Sequence, residues 1–296
     1  MFFRLKVFKE VAEQLSFTSA AEKLYISQPA VSKHISSLEN ILNTKLFYRK
    51  GNTIVLTESG KVLLRYVYKF EQLNNEMNFE INALNNQIKG KLTIGASTTI
   101  AQYILPEILA KFKNFYPDLH IQIINGNTCK IENELSKGKI DLGLIEGRIK
   151  KKEYQHQFWL KDEIVFTVNI ENPLAKREWL NIRDIQNIPM LIRESGSGTL
   201  DVIKFHLNQH QIKLSDLKID MEIGSTEAIK NFLLQNPLYG AFLSIHSILP
   251  ELQNKKLAIL DIDSLQIERD LNIIFLPDLQ SKTNNLFMNF IKHYNF

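Results

Sequence analysis

A single cysteine, Cys129, occurs in 296 residues. One thiol excludes an internal disulfide and fits a reducing compartment. No apolar run approaches the ~18 residues that a membrane span needs, so no membrane partner is expected. The opening MFFRLKVFKE alternates apolar and charged residues and carries no signal-peptide hydrophobic block. A cytoplasmic protein is the expectation. Catalytic signatures are missing too: there is no Gly-x-Ser-x-Gly elbow and no Gly-Lys-Ser/Thr of a Walker A loop. The seven histidines form no readable catalytic set. His206 and His210 stand four apart, but without a nearby cysteine or suitably placed carboxylate they read as exposed side chains, not metal ligands. No enzyme activity, metal or cofactor is expected, and Cys129 reads as packing before it reads as a redox sensor.

Charge is uneven. Residues 1–90 hold 12 Lys/Arg against 8 Asp/Glu, which accounts for the whole net +4; the rest hold 24 of each. An excess confined to one end fits a segment that meets phosphates.

That end contains TSAAEKLYISQPAVSKHISSLEN, residues 18–40. Ser19 to Glu22 has the form of a capping box, and Leu24 supplies an apolar anchor. Ser27 can cap a second helix with Pro29 in its first turn, where a missing N–H costs little. Ala30, Val31, Ile35 and Leu38 then fall on an inner face. Gln28, Ser32, Lys33 and Ser36 form an outer face suited to the base edges of a major groove. The plainer alternative is a helical hairpin with a polar surface. Phe3, Val7 or Phe8, Val11 and Leu15 read as a first helix closing a small core. Residues 45–49 and 53–56 read as two strands turning at Gly51-Asn52.

The stretch from Val11 to Gly60, above all SFTSAAEKL, SQPAVSKHI and LFYRK…LTESG, resembles the LysR-type transcriptional regulators. The resemblance implies a winged helix-turn-helix in which Ser27, Gln28, Pro29, Ala30, Ser32, Lys33 and Ser36 meet DNA. Arg49, Lys50 and Thr53 on the wing would hold phosphates, which set register and strength without reading sequence.

From about Ser59 to Gln87 one long helix is expected. Tyr66, Phe70, Leu73, Met77, Ile81, Leu84 and Ile88 make a narrow apolar seam close to a heptad, and asparagines dominate the other face. Such a seam suits a second copy of itself, as in the family's linker helix; the alternative is a helix lying on its own chain. Beyond Lys89-Gly90, β and α patterns alternate: strands at 91–95, 119–124, 141–145, 164–168, 189–192, 217–223, 239–243 and 271–276. Helices are expected after Ala96, around 131–135, from about Thr199, at 225–234 and at 284–294. Two parallel-sheet lobes crossed by two chain passages follow from this order.

The fold class expected is therefore α/β, with an N-terminal all-α winged helix-turn-helix domain, a long linker helix and a C-terminal two-lobed, periplasmic-binding-protein-like α/β effector domain. Boundaries are expected at 1–58, 59–88 and 89–296, with lobe I about 89–162 and 268–296 and lobe II about 163–267.

Three hydroxyl-rich helix starts suggest where a ligand sits. These are Ser97-Thr98-Thr99, the loop Ser195-Gly196-Ser197-Gly198-Thr199, and Ser225-Thr226; Asn127 joins them at a strand end. Backbone N–H groups at helix starts suit an anion, although each start alone reads equally as a plain cap. LIRESGSGT, LGLIEG and GSTEAIK look most like the CysL-like branch of the family, but Leu200 stands where that branch usually has Arg. The partners implied are double-stranded DNA, a small anionic effector of unknown identity, and further copies of the chain as homodimer or homotetramer, with RNA polymerase left open. Rival readings are a small-molecule receptor without a transcriptional role, or an α/β enzyme.

Overall fold

The computed structural model describes residues 2–50, 53–84, 88–147, 154–177, 179–277 and 281–294. The chain divides into two compact units, Met1–Met77 and Asn78–Phe296.

In the first unit, helices α1 (Phe2–Gln14), α2 (Phe17–Leu24) and α3 (Gln28–Leu42) precede a hairpin of β1 (Phe47–Lys50) and β2 (Thr53–Leu56). Val7, Phe8, Val11, Ala20, Ala21, Val31, Ile35 and Leu38 form its core with Leu46 and Phe47. Small Ala20 and Ala21 are what let the helices approach. Two expectations need correction. Phe3 and Leu15 are about half exposed: Leu15 turns left-handed (φ 48) and carries the chain out of α1, while Phe3, near the helix start, lies edge-on to His34 at 5.1 Å instead of entering the core. The cap of α2 is Ser16, whose hydroxyl accepts from Ser19 N–H, and not a capping box begun by Ser19. Ser16 lies in extended conformation just after that turn, so the helix starts three residues sooner than expected. Ser27 does cap α3, accepting from Ala30 N–H, with Pro29 in the first turn. The hairpin pairs Phe47 with Leu56 through Lys50 with Thr53, and its expected turn, Gly51-Asn52, lies outside the described residues. Helix α4 runs Glu58–Leu84; the expected continuation to Gln87 falls outside them too.

The second unit is built on a ten-stranded sheet. On one side β3 (Gly90–Ser97) runs parallel to β4 (Leu119–Gly126) and β5 (Leu142–Glu146). On the other, β8 (Met190–Ile192) runs parallel to β9 (Ile219–Glu222) and β10 (Gly240–Ser244). Two antiparallel strands join the lobes: β6 (Gln155–Asn169) leaves the first, and β12 (Ile267–Phe275) returns. The first lobe packs α5 (Leu105–Phe115) and α10 (Lys282–Lys292) on β3, with Phe112 edge-on to Phe287. In the second, α7 (Gly198–Gln209) supplies Ile203 and Leu207 to a core shared with Phe166 and Phe242. Helices α6 (Thr128–Ser136) and α8 (Thr226–Gln235) complete the elements that bound the cleft.

Three departures from the sequence reading matter. The crossing strand β6 begins at Gln155, not Ile164, because its first half is a polar, partly exposed run held by pairing with β12. The helix after β3 opens with a π turn, Ile100–Ile104, closed by Leu105 N–H on Ile100 C=O. Pro106 follows at once and has no N–H to continue an i→i−4 ladder. Sequence alternation also gave no warning of β7 (Trp179–Leu180), α9 (Ile245–Gln253) or β11 (Leu257–Ile262); α9 carries Pro250 inside it.

Candidate functional site

On α3, Ser27, Gln28, Pro29, Lys33 and Ser36 are exposed, and Ala30 and Ser32 are half-buried on the same side. Ala30 is thus less buried than its place in the inner row implied. Gln28 Nε2 donates to Ser32 Oγ at 3.0 Å, one turn on, which orients the amide on the outer face. Thr53 is exposed; the side chains of Arg49 and Lys50 lie outside the described residues. The sequence reading missed Glu39. Its buried carboxylate accepts from Leu46 N–H at 2.9 Å and from Lys45 Nζ at 2.7 Å, tying the end of the recognition helix to the start of the wing.

Along α4, Tyr66, Leu73, Met77 and Ile81 are each more than half exposed, apolar surface that the single chain leaves in solvent. Phe70 is less so, since it stacks on Phe2 at 4.9 Å. The side chain of Leu84 lies outside the described residues.

In the second unit, the lobes meet through polar contacts around one buried carboxylate. Glu146, at the end of β5, accepts Thr99 N–H (3.2 Å) from the first lobe and the Thr199 hydroxyl (2.7 Å) from the second. Arg269 of β12 donates to the same carboxylate and, at 2.7 Å, to Thr199 Oγ1. Its Nε donates to Asp162 of β6, also at 2.7 Å, and Ser244 caps that carboxylate at 2.8 Å. Both crossing strands and both lobes thus share one buried ion network. Burial alone would push the Glu146 pKa up; Arg269, Thr199, Ser97 and Thr99 outweigh it and hold the group at about 2.

Further contacts span the cleft. Tyr103 in the π turn donates to Glu227 at 2.5 Å; burial first, then this carboxylate, raise the tyrosine pKa. Asn127 Nδ2 donates to Glu194 Oε1 at 3.1 Å. Glu194 in turn accepts from Arg193 at Nε (2.8 Å) and Nη2 (3.0 Å), while Arg193 Nη1 donates to Thr226 Oγ1 at 2.9 Å. Burial works against ionised Glu194, and the guanidinium outweighs it, lowering its pKa.

The hydroxyl-rich helix starts are therefore largely occupied. Ser197, Ser225 and Asn127 cap α7, α8 and α6. Thr99 and Thr199 hold Glu146, and Thr226 holds Arg193. Thr98 is buried, Ser97 ends β3 beside Glu146, and Ser195 is exposed. Gly196 C=O takes Cys129 N–H from the opposite lobe at 3.2 Å. The second glycine of the loop answers to this approach: a Cβ on Gly198 would stand 2.4 Å from Glu146 O and 2.5 Å from Thr128 Oγ1. A pocket of about 240 Å³ beside the loop is lined by Thr128, Glu132, Glu146, Ser195 and Asp201, among others. His206 lies in α7 but His210 is its C-cap, outside the helix. No group of three metal-ligand side chains occurs among the described residues, and no helix of them is long and apolar enough to cross a membrane. Glu146, Arg193, Glu194 and Arg269 were missed because charged residues inside strands and loops carry no spacing signature; burial marks the first, second and fourth, and Glu194 only its contacts with Arg193 and Asn127.

A helix-turn-helix unit followed by a two-lobed receptor fold defines a ligand-responsive DNA-binding regulator. Residues 2–61 match the bacterial regulatory helix-turn-helix protein of the lysR family, and residues 85–295 match the LysR substrate binding domain. The chain belongs to the LysR family, as a transcriptional regulator with an effector-binding domain, and not to an enzyme family. It is 32% identical to the HTH-type transcriptional regulator CysL of Bacillus subtilis, over 97% of this chain and 95% of that one. A probable RuBisCO transcriptional regulator of Thalassiosira pseudonana is 34% identical over the same shares. These two bear out the likeness to a CysL-like branch. Among solved structures, full-length CbnR complexed with target DNA shares the fold (TM-score 0.70, 17% identity, 99% of each chain). The regulatory domain of Synechocystis CcmR, solved with 2-PG, matches at TM-score 0.62 and 25% identity over 68% of this chain and 95% of that one.

Proposed function

We propose that this regulator reads its operator through Gln28, Ser32 and Lys33, with Ser27, Pro29, Ala30 and Ser36 completing the contact face. Arg49, Lys50 and Thr53 hold phosphates. The observation that carries this is the outer face of α3, capped at Ser27 and ordered by the Gln28–Ser32 hydrogen bond. The exposed row Tyr66, Leu73, Met77 and Ile81, with Phe70 and Leu84, supports pairing of two chains as a homodimer, or a tetramer built from it. The functional boundaries are 1–58 for DNA binding, 59–88 for pairing and 89–296 for the effector, and the protein acts in the compartment that holds its DNA, the cytoplasm. RNA polymerase is the natural partner for activation. An electrophoretic shift with the chain's own upstream DNA tests the DNA arm: a specific shift is expected, and none beyond random DNA overturns it.

The effector is a small anion held between the lobes, near Thr98 and the Ser195–Thr199 loop. Arg193 at the cleft and the 2-PG found in the related CcmR domain support this reading. Calorimetric titration of wild type and Thr98→Val with 2-PG, sulfite, thiosulfate and acetylserine tests it. Thr98→Val should weaken binding by about fivefold, the loss of one hydrogen bond. Tight binding of a neutral or cationic ligand that Thr98→Val leaves unchanged overturns it.

A further inference from the structure

Among the described residues, Arg269, Lys230 and Arg193 are cations at the contacts between the lobes, and the first two are fully committed. Arg269 has a 0% exposed side chain and holds Glu146 and Asp162. Lys230 is bound by Glu227, Glu251 and the Ser247 carbonyl. Arg193 is different. Its side chain is 2% exposed and fixed by Thr226, but the edge carrying Nε and Nη2 faces its own chain neighbour, Glu194, which is 23% exposed. Glu194 is also the residue that reaches Asn127 in the opposite lobe. Glu194 is partly open to solvent, so its carboxylate can turn outward when another acceptor takes the guanidinium.

We infer that Arg193 is the subsite for the effector's acidic group and that Glu194 guards it. A ligand carboxylate or phosphate takes the Nε/Nη2 edge in place of Glu194, and the displaced Glu194 releases Asn127. This rests on the reading of the effector as an anion. A guanidinium fork matches carboxylate and phosphate oxygens two at a time, which a lysine does not. The resident carboxylate is tethered one residue away, so it competes at high effective concentration and keeps the cation paired until a ligand arrives. Because the same exchange breaks a contact between lobes, the ligand prefers the arrangement without that contact, and this difference in affinity is what a switch requires.

Calorimetry on the full-length chain with 2-PG and with inorganic phosphate, at constant ionic strength, tests the exchange. Glu194→Gln keeps the shape and an acceptor for Arg193 but removes the competing charge. It should bind about tenfold more tightly than wild type, because the binding-competent fraction rises. Arg193→Lys should lose most of the affinity in either background. Should wild type bind while Glu194→Gln binds no better, or Arg193→Lys bind equally well, the guarded subsite is wrong and the anion reading stands. If Glu194→Gln binds neither probe at millimolar concentration, the anion reading itself fails and this inference with it.

Discussion

Glu146 and Thr199 come from opposite lobes, yet the Thr199 hydroxyl donates to Glu146 Oε2 at 2.7 Å in a site where both residues are almost fully buried. The carboxylate belongs to a strand end and the hydroxyl to the first turn of a helix, so the bond closes only when the lobes are together. Removing one partner of a buried ion network leaves the others uncompensated. Glu146→Ala should destabilise the effector unit by about 3–5 kcal/mol, since Arg269 is left with a diminished set of acceptors. Denaturant unfolding followed by circular dichroism measures this; a change no larger than a surface substitution gives would refute it.

The same group predicts a pH dependence. Its folded pKa of about 2 lies below the ordinary value of 4.5, so the unfolded chain takes up the proton first. The stabilisation is complete above pH 4.5 and drains away as pH falls from there toward 2. Denaturation midpoints of wild type should drop through that window, and those of Glu146→Gln should drop less. Parallel curves for the two proteins would show that another group governs acid unfolding.

For DNA, the two kinds of contact should fail differently. Gln28→Ala should cost ~1–3 kcal/mol on the operator and little on random sequence. Lys50→Ala should weaken binding on every sequence and flatten the salt slope by about 0.9. Binding isotherms on both DNAs across salt concentrations separate them; equal losses on both DNAs for both variants contradict the assigned roles.

Glu39 makes a prediction that sequence reading would not have made. Glu39→Ala orphans the Leu46 N–H and frees Lys45, at a cost of about 1–3 kcal/mol. Because the wing loses its tie to the recognition helix, operator affinity should fall while the oligomeric state stays as it was. Unchanged operator affinity in a less stable protein would limit Glu39 to a structural role.

The α4 seam is tested by Leu73→Glu, which places a charge in the apolar row. Sedimentation should then show monomers with poor operator affinity; an intact dimer sinks the seam.

The sequence alone determined the elements whose signals are local. Ser27 and Pro29 mark the start of α3 because a cap and a missing N–H act within one turn, and the period of Tyr66 to Leu84 marks α4 because apolar residues recur on one face every three to four positions. Alternating strand and helix patterns likewise fixed the two-lobed class. Elsewhere the tertiary structure decided. The polar first half of β6 is a strand only because β12 pairs with it, and α2 begins at Phe17, capped by Ser16, because Leu15 turns the chain there. At the cleft, Thr99, Thr199 and Thr226 looked like open donors and proved to be engaged, because the groups that occupy them, Glu146 and Arg193, arrive from other strands. A charged residue in a strand reads the same whether it meets water or an ion partner; only folding settles which, since the partners of Arg269 are 107 and 123 residues away and the cost of burying a charge falls due only once the lobes exclude solvent.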